Sequence, residues 1–145
     1  MKNLQNEISA TLIMNNRCEF FYKYFGMNYM VKVESFIYQY MATLSADYDG
    51  GWWNFYELSN GGFYISPEIE EDATMRINVS TNYFSNAVSS DAAGIIATLF
   101  ALGDLAGRLY NENTSASENM STLYHLLRDY SLQHDEADLI LAAID

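Results

Sequence analysis

Residues 50–65 constrain the fold of this chain more than any other segment. Two runs rich in Trp, Tyr, Phe and Ile, residues 52–58 and 62–66, flank Ser59-Asn60-Gly61-Gly62. Aromatic and β-branched side chains favour strands. An Asn-Gly pair tolerates the positive φ angles of a type I′ turn, so the segment predicts an antiparallel hairpin closed at Asn60-Gly61. Trp52, Phe55 and Tyr64 are expected in its core, which sets the hairpin against an apolar layer.

The flanking sequence supplies that layer. Val33, Phe36, Ile37, Tyr40, Met41 and Leu44 recur at helical spacing, predicting a helix over 33–46 that Asp47-Tyr48-Asp49-Gly50-Gly51 stops. Met75, Ile77 and Val79 alternate with polar residues and predict a third, half-buried strand. From about 91 to 110 the chain is apolar on most faces, predicting a buried central helix capped at Ser90-Asp91. Ala93, Ala97 and Ala101 form a small-residue stripe along it that admits another element closely. Ser115 and Glu118 have capping-box spacing ahead of a helix reaching about 133. Asp135 is placed to cap a last short helix. Residues 1–18 are weakly patterned, either helical or frayed. The expected architecture is α+β: a single domain over residues 1–145, with an antiparallel sheet of three or more strands packed by about four helices.

Composition fits such a domain. Half of the 145 residues are hydrophobic and 15% aromatic, enough for a core without disulfide or metal support. A lone cysteine, Cys18, rules out an internal disulfide, suits a reducing compartment and is expected to be a buried, inert thiol. No apolar stretch follows a basic start, and the 12-residue apolar run at 92–103 is shorter than the ~20 residues of a span. A cytoplasmic protein without membrane contact is expected.

The net charge is −12, from 19 acidic and 7 basic residues. Charged residues make up only 18% of the chain, against about 25% in ordinary domains. The imbalance therefore reflects scarce cations rather than crowded carboxylates. It is also uneven: residues 1–32 carry a net +2, and residues 33–145 hold three basic groups against 17 acidic ones, a net −14. Such a body repels phosphates and favours basic protein surfaces, so direct nucleic-acid binding is not expected. The aromatic, lysine-containing segment 20–32 is expected to place its rings in the core while Lys23 and Lys32 reach water.

Catalytic and metal chemistry find little footing. His125 and His134, nine residues apart, fall on opposite faces of one continuous helix. Asp47-x-Asp49 starts like a calcium loop but has Leu58 where the closing Glu belongs. His125 and Asp129 share a helix face, yet two ligands do not make a site. No phosphate-binding loop or dinucleotide fingerprint is present. No catalytic residue, cofactor or metal is assigned, and Cys18 and His125 remain the residues an enzymatic alternative would use.

Three blocks together resemble the antirestriction proteins of the ArdB/KlcA type: residues 44–64, residues 90–102, and residues 123–130 closing with 140–145. The similarity runs from about residue 17 to the end. It implies a non-enzymatic α+β domain, carried on plasmids and other mobile DNA, that relieves type I restriction by acting on the host restriction-modification complex or an associated host protein. Two routes follow. Carboxylates could mimic DNA phosphates in the complex's DNA groove; alternatively a local protein contact could block the complex, the route favoured by the cation-poor origin of the charge. The candidate contact residues are the acidic groups beside the matching blocks: Asp47, Asp49, Glu57, Asp104, Asp129, Asp135, Glu136, Asp138 and Asp145. A monomer is the expected oligomeric state.

Overall fold

The computed structural model describes residues 7–145; the start of the frayed or helical segment expected at 1–18 lies outside them. The element order is β1 (Ala10–Leu12), a 3₁₀ turn (Arg17–Glu19), α1 (Phe20–Leu44), β2 (Trp53–Leu58), β3 (Phe63–Pro67), β4 (Thr74–Val79), β5 (Phe84–Ser89), α2 (Ser90–Leu109), α3 (Thr114–Ser131) and α4 (Ala137–Ile144). Four helices thus accompany two small antiparallel sheets, β1-β2-β3 and β4-β5. The architecture is α+β. The strand expected to join the hairpin, β4, instead pairs with β5 in a sheet of its own. The third strand of the first sheet is β1.

The predicted hairpin forms with a different turn. Leu58 C=O accepts from Gly61 N–H at 3.0 Å, and Leu58 N–H donates to Gly62 C=O at 2.9 Å. Among the described residues the only non-glycine positive φ values are at Asn16, Asp72 and Tyr83, so Asn60 stays at negative φ while Gly61 takes φ 96°. That is a three-residue loop with glycine at the left-handed position rather than a type I′ turn. Asn60 contributes through its side chain: Oδ1 accepts from Gly62 N–H at 3.0 Å, and Nδ2 donates to Leu126 C=O on α3 at 2.9 Å.

The sheets are buried differently. One face of β2-β3 packs on the start of α1, where Phe20, Phe21, Tyr24 and Phe25 meet Phe55 and Phe63 at ring separations of 4.7–5.8 Å. The rings of segment 20–32 therefore enter the core as expected, although Tyr22, Met27 and Val31 stay exposed. Gly26 breaks the helix there with φ 68° and ψ −177°, outside the helical region. On the other face Tyr64 stacks between Tyr56 and Tyr130. The β4-β5 sheet is buried on one side only, through Met75, Ile77, Val79 and Val88.

The centre of the molecule is α2, which packs against α1, α3, α4 and β3. Its closest approach is at Gly94, where an added Cβ would lie 2.5 Å from Ser66 Cα and overlap the Ile65 carbonyl. By length and composition α2 could cross a membrane, but 67% of that window is buried inside the fold.

Three capping expectations are corrected. Ser89, not Ser90-Asp91, caps α2 by accepting from Ala92 N–H at 3.1 Å. Asn113, not Ser115, caps α3 by accepting from Ala116 N–H at 3.0 Å. Asp135 does not cap α4; the cap position is Glu136, without a side-chain bond to the helix. Trp52 and Cys18 also differ from expectation: Trp52 is 56% exposed, and Cys18 is exposed on the 3₁₀ turn. Trp52 covers the Arg17 guanidinium, which lies 4.1 Å from its ring and 4.0 Å from Phe55 while donating to Trp53 C=O at 2.6 Å.

Candidate functional site

The nine acidic candidates fall into two groups. Four are tied to other parts of the fold. Asp47 accepts from Arg76 N–H within β4 at 2.8 Å. Glu57 pairs with Lys23 at 2.6 Å across β2 and α1. Asp104 accepts from Arg108 Nε at 2.7 Å and Tyr40 Oη at 2.5 Å. Glu136 accepts from both Ser89 N–H, at 2.9 Å, and Ser89 Oγ. The other five, Asp49, Asp129, Asp135, Asp138 and Asp145, are exposed, and their carboxylates form no hydrogen bond or ion pair among the described residues. They are spread over the loop before β2, α3, the α3–α4 linker, α4 and the chain end.

A polar junction that sequence reasoning missed lies beside Glu136. Tyr64, 1% exposed, donates from Oη to Asp91 Oδ1 at 2.7 Å. Asp91 Oδ2 lies 2.8 Å from His134 Nε2. His134 Nδ1 accepts from Glu136 N–H at 3.0 Å, which places the proton of the neutral ring on Nε2, facing Asp91. The bond to Asp91, opposed by burial, raises the His134 pKa. Burial, followed by the Asp91 charge, raises the Tyr64 pKa and keeps the phenol protonated. Asp91 was read as a cap; its real role shows only when β3 and the α3–α4 linker meet α2, so local sequence carried no signal for it. Among the described residues no buried side-chain N or O lacks a partner, and the junction's own groups are bonded to one another, with the Asp91 side chain still 36% exposed.

A second constellation surrounds Asp104. Tyr40 stacks face to face on Phe100 at 5.6 Å and 9° and donates to Asp104. Arg108, over Phe36 at 5.5 Å, holds the other carboxylate oxygen. Partial burial works to raise the Asp104 pKa, but the bonds from Arg108 and Tyr40 prevail and hold it below the ordinary carboxylate range. Burial and Asp104 push Tyr40 up to about 12. Open cavities of about 410 and 590 Å³ adjoin this pair and share Tyr40 and Phe100.

For catalysis or metal binding the arrangement offers little. Cys18 makes no hydrogen bond to His125 or His134 among the described residues. His125 is exposed on α3, and His134 is engaged in the junction. No group of three or more His, Cys, Asp or Glu residues placed to hold a metal occurs among the described residues.

Two small antiparallel sheets around a buried helix define an α+β domain. Comparison with known proteins resolves the class further. The chain belongs to the antirestriction protein family, whose profile matches residues 46–145. It is 38% identical to the antirestriction protein KlcA of Escherichia coli over all of both chains. A second Escherichia coli protein of that name is 43% identical over 98% of this chain and 97% of its own. A solved structure matches with a TM-score of 0.88 at 38% identity, over all of both chains. It is described as showing that the KlcA and ArdB proteins have a novel fold and antirestriction activity against type I DNA restriction systems in vivo but not in vitro.

Proposed function

We propose that this protein relieves type I restriction of incoming mobile DNA without catalysis, as one domain acting in the cytoplasm through a protein–protein contact. The observation that carries the reading is the full-length likeness to proteins described as active in cells but not in vitro. A protein that filled the DNA groove of the restriction enzyme would inhibit the purified enzyme too. Action through an additional host factor accounts for the difference. The charge supports the same choice. Four of the nine candidate carboxylates are bound internally, and the exposed five are scattered over separate elements rather than arrayed in rows. Among the described residues, the enzymatic alternative through Cys18 or His125 has no hydrogen-bonded partner to activate either group.

Plating of unmodified phage on a type I restricting host tests the function. Expression of the protein is expected to raise plating efficiency; no rise, with the protein accumulating, removes the assignment. A purified restriction complex tests the route. The protein is expected neither to inhibit cleavage nor to compete with DNA. Competition that weakens steeply with salt would establish phosphate mimicry instead.

A further inference from the structure

Three of the four outer strand edges carry a side-chain stop within the strand. On β3, Ile65 N–H reaches Thr98 Oγ1 of α2 at 3.5 Å. On β4, Arg76 N–H is taken by Asp47 at 2.8 Å. On β5, the N–H groups of Ala87 and Ser89 are taken by Asn86 Oδ1 at 2.8 Å and Glu136 Oε1 at 2.9 Å. Stops of this kind keep a sheet from pairing with other chains. On the β1 side the stop lies outside the strand, at Ile8, which the Gln133 carboxamide engages at 2.9 and 2.6 Å.

The phase of the ladder decides which groups of β1 face outward. Ser9 C=O accepts from Ser59 N–H at 2.9 Å and Ile13 N–H donates to Phe55 C=O at 2.8 Å, with Thr11 opposite Glu57 between them. Antiparallel pairing alternates, so these odd-numbered residues turn their groups to β2, and Ala10 and Leu12 turn theirs away. Among the described residues, the backbone N–H and C=O of Ala10 and Leu12 have no hydrogen-bond partner. Leu12 is 41% exposed, and Met14 just beyond the strand is 74% exposed. Residues 8–14 contain no charge, no proline and no glycine, so nothing in the sequence blunts this edge.

The chemistry of the edge selects its occupant. Two donors and two acceptors alternate along it. A DNA backbone offers acceptors alone and leaves the two carbonyls unmet, whereas an extended polypeptide carries the same alternation and satisfies all four groups. The flanking side chains are uncharged: Ala10 and Leu12 on the face they share with Leu58 and Tyr56, Thr11 on the other. The nearest charges across the ladder, Glu57 and its partner Lys23, are bound to each other. An uncharged segment of strand-forming residues suits such flanks. A second copy suits them less, because mutual pairing of two three-residue strands by itself covers far less than the roughly 1,200 Å² of a stable interface. We infer that the outer edge of β1 is a docking site for an extended, uncharged segment of a partner protein, which joins β1-β2-β3 as a fourth strand. The inference deepens the protein contact proposed above and rests on it for its role in the cell.

Amide exchange, three variants and one titration test it. In the protein alone, Ala10 and Leu12 N–H are expected to exchange faster than Thr11 and Ile13 N–H; equal protection means the edge is already covered and overturns the site. Leu12→Pro removes an outward donor while sparing the bonds to β2, a position where an edge strand tolerates proline. Leu12→Lys places a charge at the edge on an unaltered backbone, and decides the matter if the proline variant fails to fold. Both are expected to lower phage plating relief by roughly tenfold or more, whereas Leu12→Thr, which keeps the donor and the strand preference, is expected to retain it. Wild-type relief in the folded Leu12→Pro and Leu12→Lys proteins overturns the site, and equal loss in Leu12→Thr overturns recognition through the backbone. In an NMR titration, a short capped peptide of alternating threonine and valine at millimolar concentration is expected to shift and protect the Ala10 and Leu12 amides, and a short DNA duplex to leave them unmoved. No shift with the peptide, or shifts with the duplex, overturn the class of occupant. A concentration-dependent dimer that Leu12→Lys dissolves makes the occupant a second copy and overturns the partner. Absence of relief by the wild-type protein removes the antirestriction reading alone, because exchange and the peptide titration still decide the edge.

Discussion

The two sheets obey different rules. In β1-β2-β3, strand β3 is buried at all five positions, because aromatic rings cover one face, Tyr56, Tyr64 and Tyr130 cover the other, and α2 presses on the strand through Gly94. In β4-β5, one face packs on the core and the other faces water, where Arg76, Ser85 and Asn78 bond one another at 3.1 and 2.6 Å. Burial on both faces makes β3 intolerant of changes in volume, whereas the second sheet has one face on which substitution is nearly free. The comparison separates a strand locked on both faces from a hairpin that keeps one face in water, with Tyr83 exposed at its tip.

The largest test of that contrast is Phe63→Ala, which removes a ring touching Phe20, Phe21, Tyr24 and Phe25. Chemical denaturation is expected to show a loss of about 3–5 kcal/mol. Next is Gly94→Ala, whose new methyl must push β3 away from α2; a loss of about 1–3 kcal/mol or more is expected by the same measurement. If either variant unfolds no more easily than the wild type, the first sheet is not the rigid one.

Ser89→Ala follows, at the point where the second sheet hands over to α2. It removes the cap on Ala92 N–H and one of the two donors to Glu136, and is expected to cost about 0.5–2 kcal/mol. Smaller still is the pH response of the junction. The His134 pKa is raised in the folded state, so the stability it adds is complete below its unfolded value of about 6.5 and is lost as pH rises through the folded value. Thermal melts between pH 5 and 9 are expected to show that decline, and His134→Gln is expected to remove it. At the bottom of the scale, Ala87→Thr, opposite Arg76 on the exposed face of β5, is expected to change stability by less than about 0.5 kcal/mol. A large effect there would contradict the one-sided burial of the second sheet.

The same contrast explains what the sequence disclosed. β2, β3 and the core of α2 were legible because their side chains are apolar in patterns that only burial accommodates. β4 was legible from the alternation of Met75, Ile77 and Val79. β5 was not: Phe84-Ser85-Asn86-Ala87-Val88-Ser89 buries only Val88 fully, and its polar positions look like a loop until β4 pairs with them. β1 was missed because three residues carry no periodicity. The junction of Tyr64, Asp91 and His134 joins residues far apart in the chain, so no local pattern announces it. Of the acidic candidates, sequence proximity to the matching blocks could not separate Glu57, Asp104 and Glu136, which are spent on internal bonds, from Asp129 and Asp138, which are free to meet a partner.

Two hydrogen bonds tie the segment before β1 to the α3–α4 linker. Ile8 donates to and accepts from the Gln133 carboxamide at 2.9 and 2.6 Å, across 125 residues of sequence, and the carboxamide thereby stands in for a neighbouring strand at the edge of β1. The edge of the chain before β1 is therefore completed only by a residue of the α3–α4 linker. A chain truncated before residue 133 leaves that edge open to other chains.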